Sequence, residues 1–146
     1  MTNDNPLALD NQVCFSLYAT SLAITQAYKP LLAPLGLTYP QYLIMLILWE
    51  EDGVSLNHIC KRLGQQPGAL TPVLKRMEEE GFLKRNRSQT DERQLEIFLT
   101  PKGKFLEAEG LKVNRCMIET AAAPAEHLQE IKRALDALRS KFNCPG

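Results

Sequence analysis

From Tyr42 to Trp49 the chain is apolar at almost every position, through Leu43, Ile44, Met45, Leu46, Ile47 and Leu48. A short helix that is apolar all round predicts the buried core of a domain. Its start is marked by Thr38-Tyr39-Pro40-Gln41: Thr38 as cap, Gln41 where a capping box needs it, Pro40 in the first turn. Glu50-Glu51-Asp52-Gly53 marks its end. Beyond it the pattern becomes amphipathic. Leu56, Ile59, Cys60 and Leu63 recur at i, i+3, i+4 and i+7, which predicts a helix over Ser55–Leu63 with Ser55 as its cap. Gly64 ends it, and Gln65-Gln66-Pro67-Gly68 reads as a turn. Leu70, Val73, Leu74 and Met77 then mark one face of a second helix, stopped by Gly81. Two alternating runs follow, Phe82–Arg87 and Gln94–Leu99, with Ser88–Arg93 as a hairpin tip. Leu95, Ile97 and Leu99 alternate as the buried side of a half-buried strand.

Helices flank this segment on both sides. Asp10 is the expected cap of a long helix reaching Leu35, with Val13, Leu17, Leu22 and Ile24 among its apolar positions. Pro30 and Pro34 predict that its last turns are kinked or broken, and Gly36 closes it. Thr100-Pro101 opens a helix running to about Ala123, where Pro124 interrupts. The last helix, Pro124–Phe142, carries Leu128, Ile131, Leu135, Leu138 and Phe142, a heptad seam. Two heptads are too few to stand alone and suit an interface, most simply a homodimer; packing within one subunit is the other use. The expected fold class is mainly α with a small β-hairpin wing, a winged helix-turn-helix. Residues 38–99 form its reading part, and the helices over 10–35 and 101–142 its dimerising part.

The 146 residues suffice for one domain with a proper core. Seventeen basic and seventeen acidic residues leave no net charge, so total charge does not point to nucleic acid. Its distribution does. Residues 61–93 hold eight Lys or Arg against five acids, three of which are the run Glu78–Glu80. The non-core face of the second helix carries Gln66, Thr71, Lys75 and Arg76, the side chains a helix in a major groove presents. Lys84, Arg85 and Arg87 make the approach to the tip basic, and a protruding basic tip reaches phosphates or a minor groove. The same residues also fit a plain helical turn with an ordinary hairpin. No apolar run of 18 residues and no signal-peptide layout are visible, so a cytoplasmic chain without a membrane span is expected. The cysteines at 14, 60, 116 and 144 are not in metal-like spacing with each other or with the two histidines. Free thiols, no metal and no cofactor are expected.

Cys14 is the candidate for chemistry. It lies one turn before Tyr18 on the same face; Tyr28 shares the predicted helix, and Tyr39 opens the next. Phenolic hydroxyls that donate to a thiolate stabilise it and lower the thiol's pKa. A thiolate attacks the O–O bond of a peroxide and becomes a sulfenic acid. The apolar neighbours Phe15 and Leu17 favour an organic peroxide. The plain alternative is a cysteine that packs, which is how Cys60 reads. Cys116 and Cys144 are further thiols able to resolve a sulfenate.

Several longer stretches carry a resemblance. Leu9-Asp10-Asn11-Gln12-Val13-Cys14-Phe15, Tyr18, Pro30-Leu31-Leu32 and Leu35-Gly36-Leu37-Thr38-Tyr39-Pro40-Gln41-Tyr42 form one part of it. Leu70-Thr71-Pro72-Val73-Leu74-Lys75-Arg76 and Asp91-Glu92-Arg93-Gln94 form the other. Over about Leu9 to Phe142 the chain resembles the MarR winged-helix repressors, and among them the organic hydroperoxide resistance regulators. The resemblance implies a homodimer bound to an inverted-repeat operator in double-stranded DNA when reduced. It implies release when an organic hydroperoxide oxidises Cys14. It places Tyr28 and Tyr39 as hydrogen-bond donors to the thiolate and Tyr18 near the sensor from the other subunit. It also places Arg76, Arg85 and Arg93 on DNA, with Asp91 orienting Arg93. One branch of the family forms a mixed disulfide with a small thiol; the other uses a resolving cysteine in the partner's penultimate helix. Cys116 lies in that helix about one turn before the aligned position, so Cys116, Cys144 and a small thiol all stay open. A rival reading is a MarR-type regulator released by a small phenolic or carboxylate ligand, with Cys14 merely packing. An enzyme, a thiol peroxidase, lacks a catalytic His, Asp or metal set, and the chain is expected not to be one.

Overall fold

The structure, a computed structural model, describes residues 4–143. They fall into two units, Met1–Val113 and Asn114–Gly146. The first is built round α2, Tyr39–Glu50, which buries Tyr42, Ile44, Met45, Ile47 and Leu48. The expected capping box is present: Thr38 Oγ1 accepts from the Gln41 N–H at 3.4 Å, and Gln41 Oε1 accepts from the Thr38 N–H at 3.0 Å. Helix α3, Leu56–Leu63, is capped by Ser55 and closed by Gly64, whose φ of +66° is left-handed. Helix α4, Pro67–Glu79, turns Leu70, Leu74 and Met77 into the same core. Gly81 follows it at φ +87°.

The hairpin is β2, Leu83–Arg87, and β3, Leu95–Leu99, antiparallel with Leu83 opposite Leu99 and Arg87 opposite Leu95. Ile97 and Leu99 are buried, as their alternation predicts. One strand was not foreseen. Val54–Ser55 forms β1 and pairs with β3, so the sheet has three strands in the order β1-β3-β2. Two residues are too few to show an alternation. The strand is held by its neighbours: the Leu99 N–H donates to Asp52 Oδ1 at 2.7 Å, and the Gly53 N–H to the Ile97 carbonyl at 2.9 Å.

Three boundaries differ from the sequence reading. Asp10 is not the cap of the first helix. Leu9–Asn11 is a separate 3-10 turn, and α1 is Val13–Leu32 with Gln12 at its N-cap position. The Gln12 amide holds the entry by donating to the Pro6 and Ala8 carbonyls at 2.6 and 3.1 Å. At the other end Pro30 sits inside α1, and Ala33–Leu35, with Pro34, tightens into a 3-10 turn closed by Gly36 at φ +76°. Second, Pro67 and Gly68 belong to α4 and not to the turn, because proline at a first helical position loses no hydrogen bond. Third, the helix after Thr100 is two helices, α5 (Pro101–Phe105) and α6 (Glu107–Ala121), broken at Leu106. Thr100 is the expected cap, accepting from the Gly103 N–H at 3.1 Å. The break lies between two close packing points. The Gly103 carbonyl accepts from Trp49 Nε1 at 2.9 Å, and Gly110 lies against the Trp49 indole, 2.5 Å from where a Cβ would stand. Leu106 is a good helix former, so packing and not propensity sets the break.

The start of α5 is pinned to the end of α4. Thr100 Oγ1 donates to the Gly81 carbonyl at 2.6 Å, and Lys102 Nζ donates to the Glu80 carbonyl at 2.9 Å while lying over the Phe82 ring. In the second unit α7, Ala125–Phe142, buries no residue. Of its seam, Ile131, Leu135 and Phe142 are exposed, Phe142 at 76%. No single helix among the described residues is long and apolar enough to cross a membrane; Val13–Leu35 and Tyr39–Glu50 meet that test only as a pair bent by 69°.

A Cβ at Gly103 would overlap the Phe82 carbonyl oxygen, whereas one at Gly68 meets nothing within 4 Å. Gly103→Ala is expected to cost about 1–3 kcal/mol in urea unfolding, as overpacking does. Gly68→Ala is expected to be neutral or to gain up to about 1 kcal/mol.

Candidate functional site

The outer side of α4 carries the four residues expected to face a groove. Gln66, Thr71, Lys75 and Arg76 are all exposed. Thr71 Oγ1 donates to the Pro67 carbonyl at 2.7 Å, which leaves its lone pairs outward. Arg76 Nε lies 3.0 Å from Glu80 Oε1 in an exposed pair. Beside this helix, residues on either side of Tyr39, from Gly36 to Thr38 and Pro40 with Gln41, join Pro72, Val73, Arg76 and Glu80 in lining an open groove of about 610 Å³.

The wing tip is shaped by Ser88. Its buried Oγ accepts from the N–H groups of Thr90 and Asp91 at 3.2 and 3.3 Å. Asp91 Oδ1 in turn accepts from the Arg93 N–H at 3.0 Å and stands 3.7 Å from Arg93 Nε. The Arg93 side chain is 94% exposed. Arg87 is exposed and donates to the Glu92 carbonyl at 2.9 Å. Arg85 differs from these. It is half-buried, and its backbone and guanidinium are both bonded to Glu78 on α4.

Cys14 lies exposed in the first turn of α1, with Tyr18 one turn on and 65% exposed. Val13, Leu22 and Ile24 on this helix are exposed as well. Tyr28, near the other end, stacks at 4.6 Å on Tyr39 and 5.6 Å on Tyr42. Sequence reasoning missed Tyr42 as a member of this cluster and read it only as core. Its spacing of three from Tyr39 on a helix was the available signal. Its hydroxyl donates to the Gly110 carbonyl at 3.3 Å, and Trp49 meets it edge-on. Burial first, then the neighbouring Tyr39 and Tyr42, push the Tyr28 phenol up to about 12. Burial raises Tyr39 too, and burial and then Tyr39 raise Tyr42. All three therefore stay protonated O–H donors at neutral pH.

The structure brings Tyr28 and Tyr39 together, but not with Cys14 of the same chain. Fourteen residues along α1 separate Cys14 from Tyr28, about 21 Å at roughly 1.5 Å per residue. Cys60 is buried, and burial pushes its thiol up. Cys116 is partly exposed on α6. Cys144 lies outside the described residues. Among the described residues no group of three or more His, Cys, Asp or Glu is placed to hold a metal ion.

Known proteins share this arrangement. The sequence model of the SarA/Rot transcriptional regulators matches residues 26–109. The chain is 52% identical over 103 residues to the HTH-type transcriptional regulator TtmR of Methylorubrum extorquens, a match covering 70% of this chain and 53% of that protein. It thus spans about half the length of that relative. It is 41% identical over 132 residues, 90% of each chain, to the organic hydroperoxide resistance transcriptional regulator of Bacillus subtilis. Among solved structures, reduced AbfR bound to DNA matches with a TM-score of 0.77 at 36% identity, over 92% of this chain and 94% of that one. AbfR with its disulfide formed matches at 0.66 and 38%, over 89% and 91%. The first two relatives are transcriptional regulators by name, and AbfR is seen bound to DNA. With a capped helix-turn-helix, a wing beside it and these relatives, the chain belongs to the MarR-type winged-helix transcriptional regulators, together with the organic hydroperoxide resistance regulators.

Proposed function

We propose that this chain is a cytoplasmic, homodimeric repressor that binds an inverted-repeat DNA operator and leaves it when an organic hydroperoxide oxidises Cys14. The observation that carries this reading is an exposed Cys14 one turn before Tyr18, in a chain 41% identical to an organic hydroperoxide resistance regulator over 90% of its length. Gln66, Thr71, Lys75 and Arg76 enter the major groove. Arg87 and Arg93 reach phosphates and the minor groove from the wing, and Asp91 holds Arg93. The DNA-bound AbfR structures support this part.

The separation of Cys14 from Tyr28 calls for a second copy. Tyr18 is one turn from Cys14, but the thiolate meets Tyr28 and Tyr39 only if a partner supplies them. The exposed apolar positions Val13, Leu22 and Ile24 of α1 are a surface for that copy, and the exposed seam of α7 is another. Neutral phenols suit the role, since they donate to a thiolate without adding charge. The Cys14 thiolate attacks the distal peroxide oxygen, giving a sulfenic acid and an alkoxide that takes a proton to become the alcohol. A second thiolate then attacks the sulfenic sulfur, forming the disulfide and releasing hydroxide. We assign that thiolate to Cys116 of the second copy, with Cys144 or a small thiol as the alternatives; a disulfide form of AbfR supports a disulfide route. Moving α1 against its partner alters the spacing of the two reading heads. A roughly 100-fold loss of operator affinity needs only about 2.7 kcal/mol of preference between the two states.

One observation favours a second reading. The groove beside Arg76 has the size of a small-molecule site, and a ligand carboxylate would take the place of Glu80 on the Arg76 guanidinium. In that case a phenolic or carboxylate ligand, and not an oxidant, releases DNA.

Fluorescence anisotropy on a palindromic duplex selected from random DNA separates the two. Peroxide is expected to release the wild type and not Cys14→Ser, with reductant restoring binding; release of both, or of neither, sinks the sensor reading. On non-reducing gels peroxide is expected to convert the wild type to a covalent dimer and Cys116→Ser not; a dimer that persists removes Cys116 from the role. Tyr28 has a pH signature. Its folded pKa lies above its unfolded value of 10.0, at about 12. The stability it contributes is complete below pH 10 and is lost as pH rises toward 12. Unfolding free energy is thus expected to fall over that window, and less steeply in Tyr28→Phe.

A further inference from the structure

We infer that Glu78 is a positioning residue that fixes the wing to the recognition helix, and that Arg85 serves DNA binding through Glu78 and not by touching DNA; the inference rests on the DNA-binding reading above. Glu78 is in the last turn of α4, the helix that presents Thr71, Lys75 and Arg76. Arg85 is in the middle of β2, across the turn made by Gly81. Three hydrogen bonds join them. Glu78 Oε2 accepts from the Arg85 backbone N–H at 2.7 Å, and Oε1 accepts from Arg85 Nε and Nη2 at 3.3 and 3.1 Å. The side chains are 35% and 23% exposed, so water competes only partly for either. A carboxylate that receives a backbone N–H and a guanidinium fork fixes direction as well as distance.

The alternatives for each residue are weak. A carboxylate in a head that binds phosphates is unfavourable on charge alone, so Glu78 needs a local use. Its use is visible in the bonds it makes. Arg85 differs from Arg87 and Arg93, whose side chains project from the wing. Two of its guanidinium nitrogens are turned back onto α4. β2 is an edge strand, and its Arg85 N–H points away from β3 toward Glu78. Without this strut the wing is joined to α4 through the Gly81 turn, the packing of Phe82 and Leu83, and the bonds of Thr100 and Lys102 to the Gly81 and Glu80 carbonyls at its base. With it, the helix in the major groove and the tip at the minor groove hold one spacing. The Arg85 backbone N–H, foremost, and then the guanidinium keep the Glu78 carboxyl below the usual carboxylate range, so the strut is charged at neutral pH.

Operator binding is measured by anisotropy across a salt series with the full chain, for Glu78→Gln, Arg85→Ala, Arg85→Lys and Arg93→Ala. Circular dichroism and thermal unfolding check that each is folded. Glu78→Gln and Arg85→Ala are each expected to weaken binding roughly tenfold, with the wild-type slope of log K on log salt; Arg93→Ala is expected to lower that slope by about 1. Arg85→Lys is expected to stay weak, because a point charge cannot replace the fork. The double variant Glu78→Gln/Arg85→Ala is expected to be no worse than Arg85→Ala. In footprints, Glu78→Gln is expected to lose the minor-groove protection that Arg93→Ala also loses, while major-groove protection remains. A general loss of structure would weaken both together. Tighter binding by Glu78→Gln, a lowered slope in Arg85→Ala or full rescue by Arg85→Lys overturns the strut alone. Wild-type protein that binds no selected duplex overturns the DNA-binding reading and the strut with it.

Discussion

Keeping water off helix α2 is the constraint on which the first unit depends. Its buried side chains share one core with Leu32 of α1, Ile59 of α3, Leu70, Leu74 and Met77 of α4, and Leu83, Ile97 and Leu99 of the sheet. Each large apolar side chain taken out of water contributes about 1.5–3 kcal/mol, and α2 supplies five. Among the described residues no buried side-chain nitrogen or oxygen lacks a hydrogen-bond partner. Gln41 is buried yet completes the capping box, Tyr42 bonds to Gly110, and Trp49 bonds to Gly103. The last two bonds, with those of Thr100 and Lys102, tie α5 and the start of α6 to the core.

That arrangement decides which functional groups are free and which are fixed. The outer side of α4 is free because its inner side is spent on α2. Arg93 is free because Asp91 and Ser88 settle the backbone around it. Tyr28, Tyr39 and Tyr42 are packed against one another and neutral, Tyr42 inside the core and the other two at its edge. Cys14 stands apart, on an α1 whose first half projects its apolar residues outward. Cys14 and Tyr28 thus stand near opposite ends of one helix, with exposed apolar positions between them.

What the sequence disclosed was whatever is local. The caps at Thr38, Ser55 and Thr100 and the stops at Gly64 and Gly81 are short-range hydrogen bonds and backbone angles, and all were legible. The alternation of Leu95, Ile97 and Leu99 gave the hairpin and its buried face. Features set by residues distant in the chain were not legible. β1 exists because β3 is beside it. The break at Leu106 follows from Trp49 meeting Gly103 and Gly110, more than fifty residues away. Asp10 looked like a cap because its residue type suits one, but Gln12 holds that entry. Tyr42 was read as apolar, and the Glu78–Arg85 strut crosses a turn whose geometry spacing alone does not supply. Cys14 was marked by its resemblance to a known motif more than by its pattern, since one cysteine on an amphipathic helix usually packs.

The sheet has a further property that concerns what it does not join. A strand at an edge offers its free N–H and C=O groups to any extended chain nearby. Here one edge, β1, is two residues long. The other, β2, has its Arg85 N–H covered by Glu78 and carries exposed Lys84 and Arg87. Both edges are blunted against pairing with another strand. The three-stranded sheet resists growth by strand addition without being closed into a barrel.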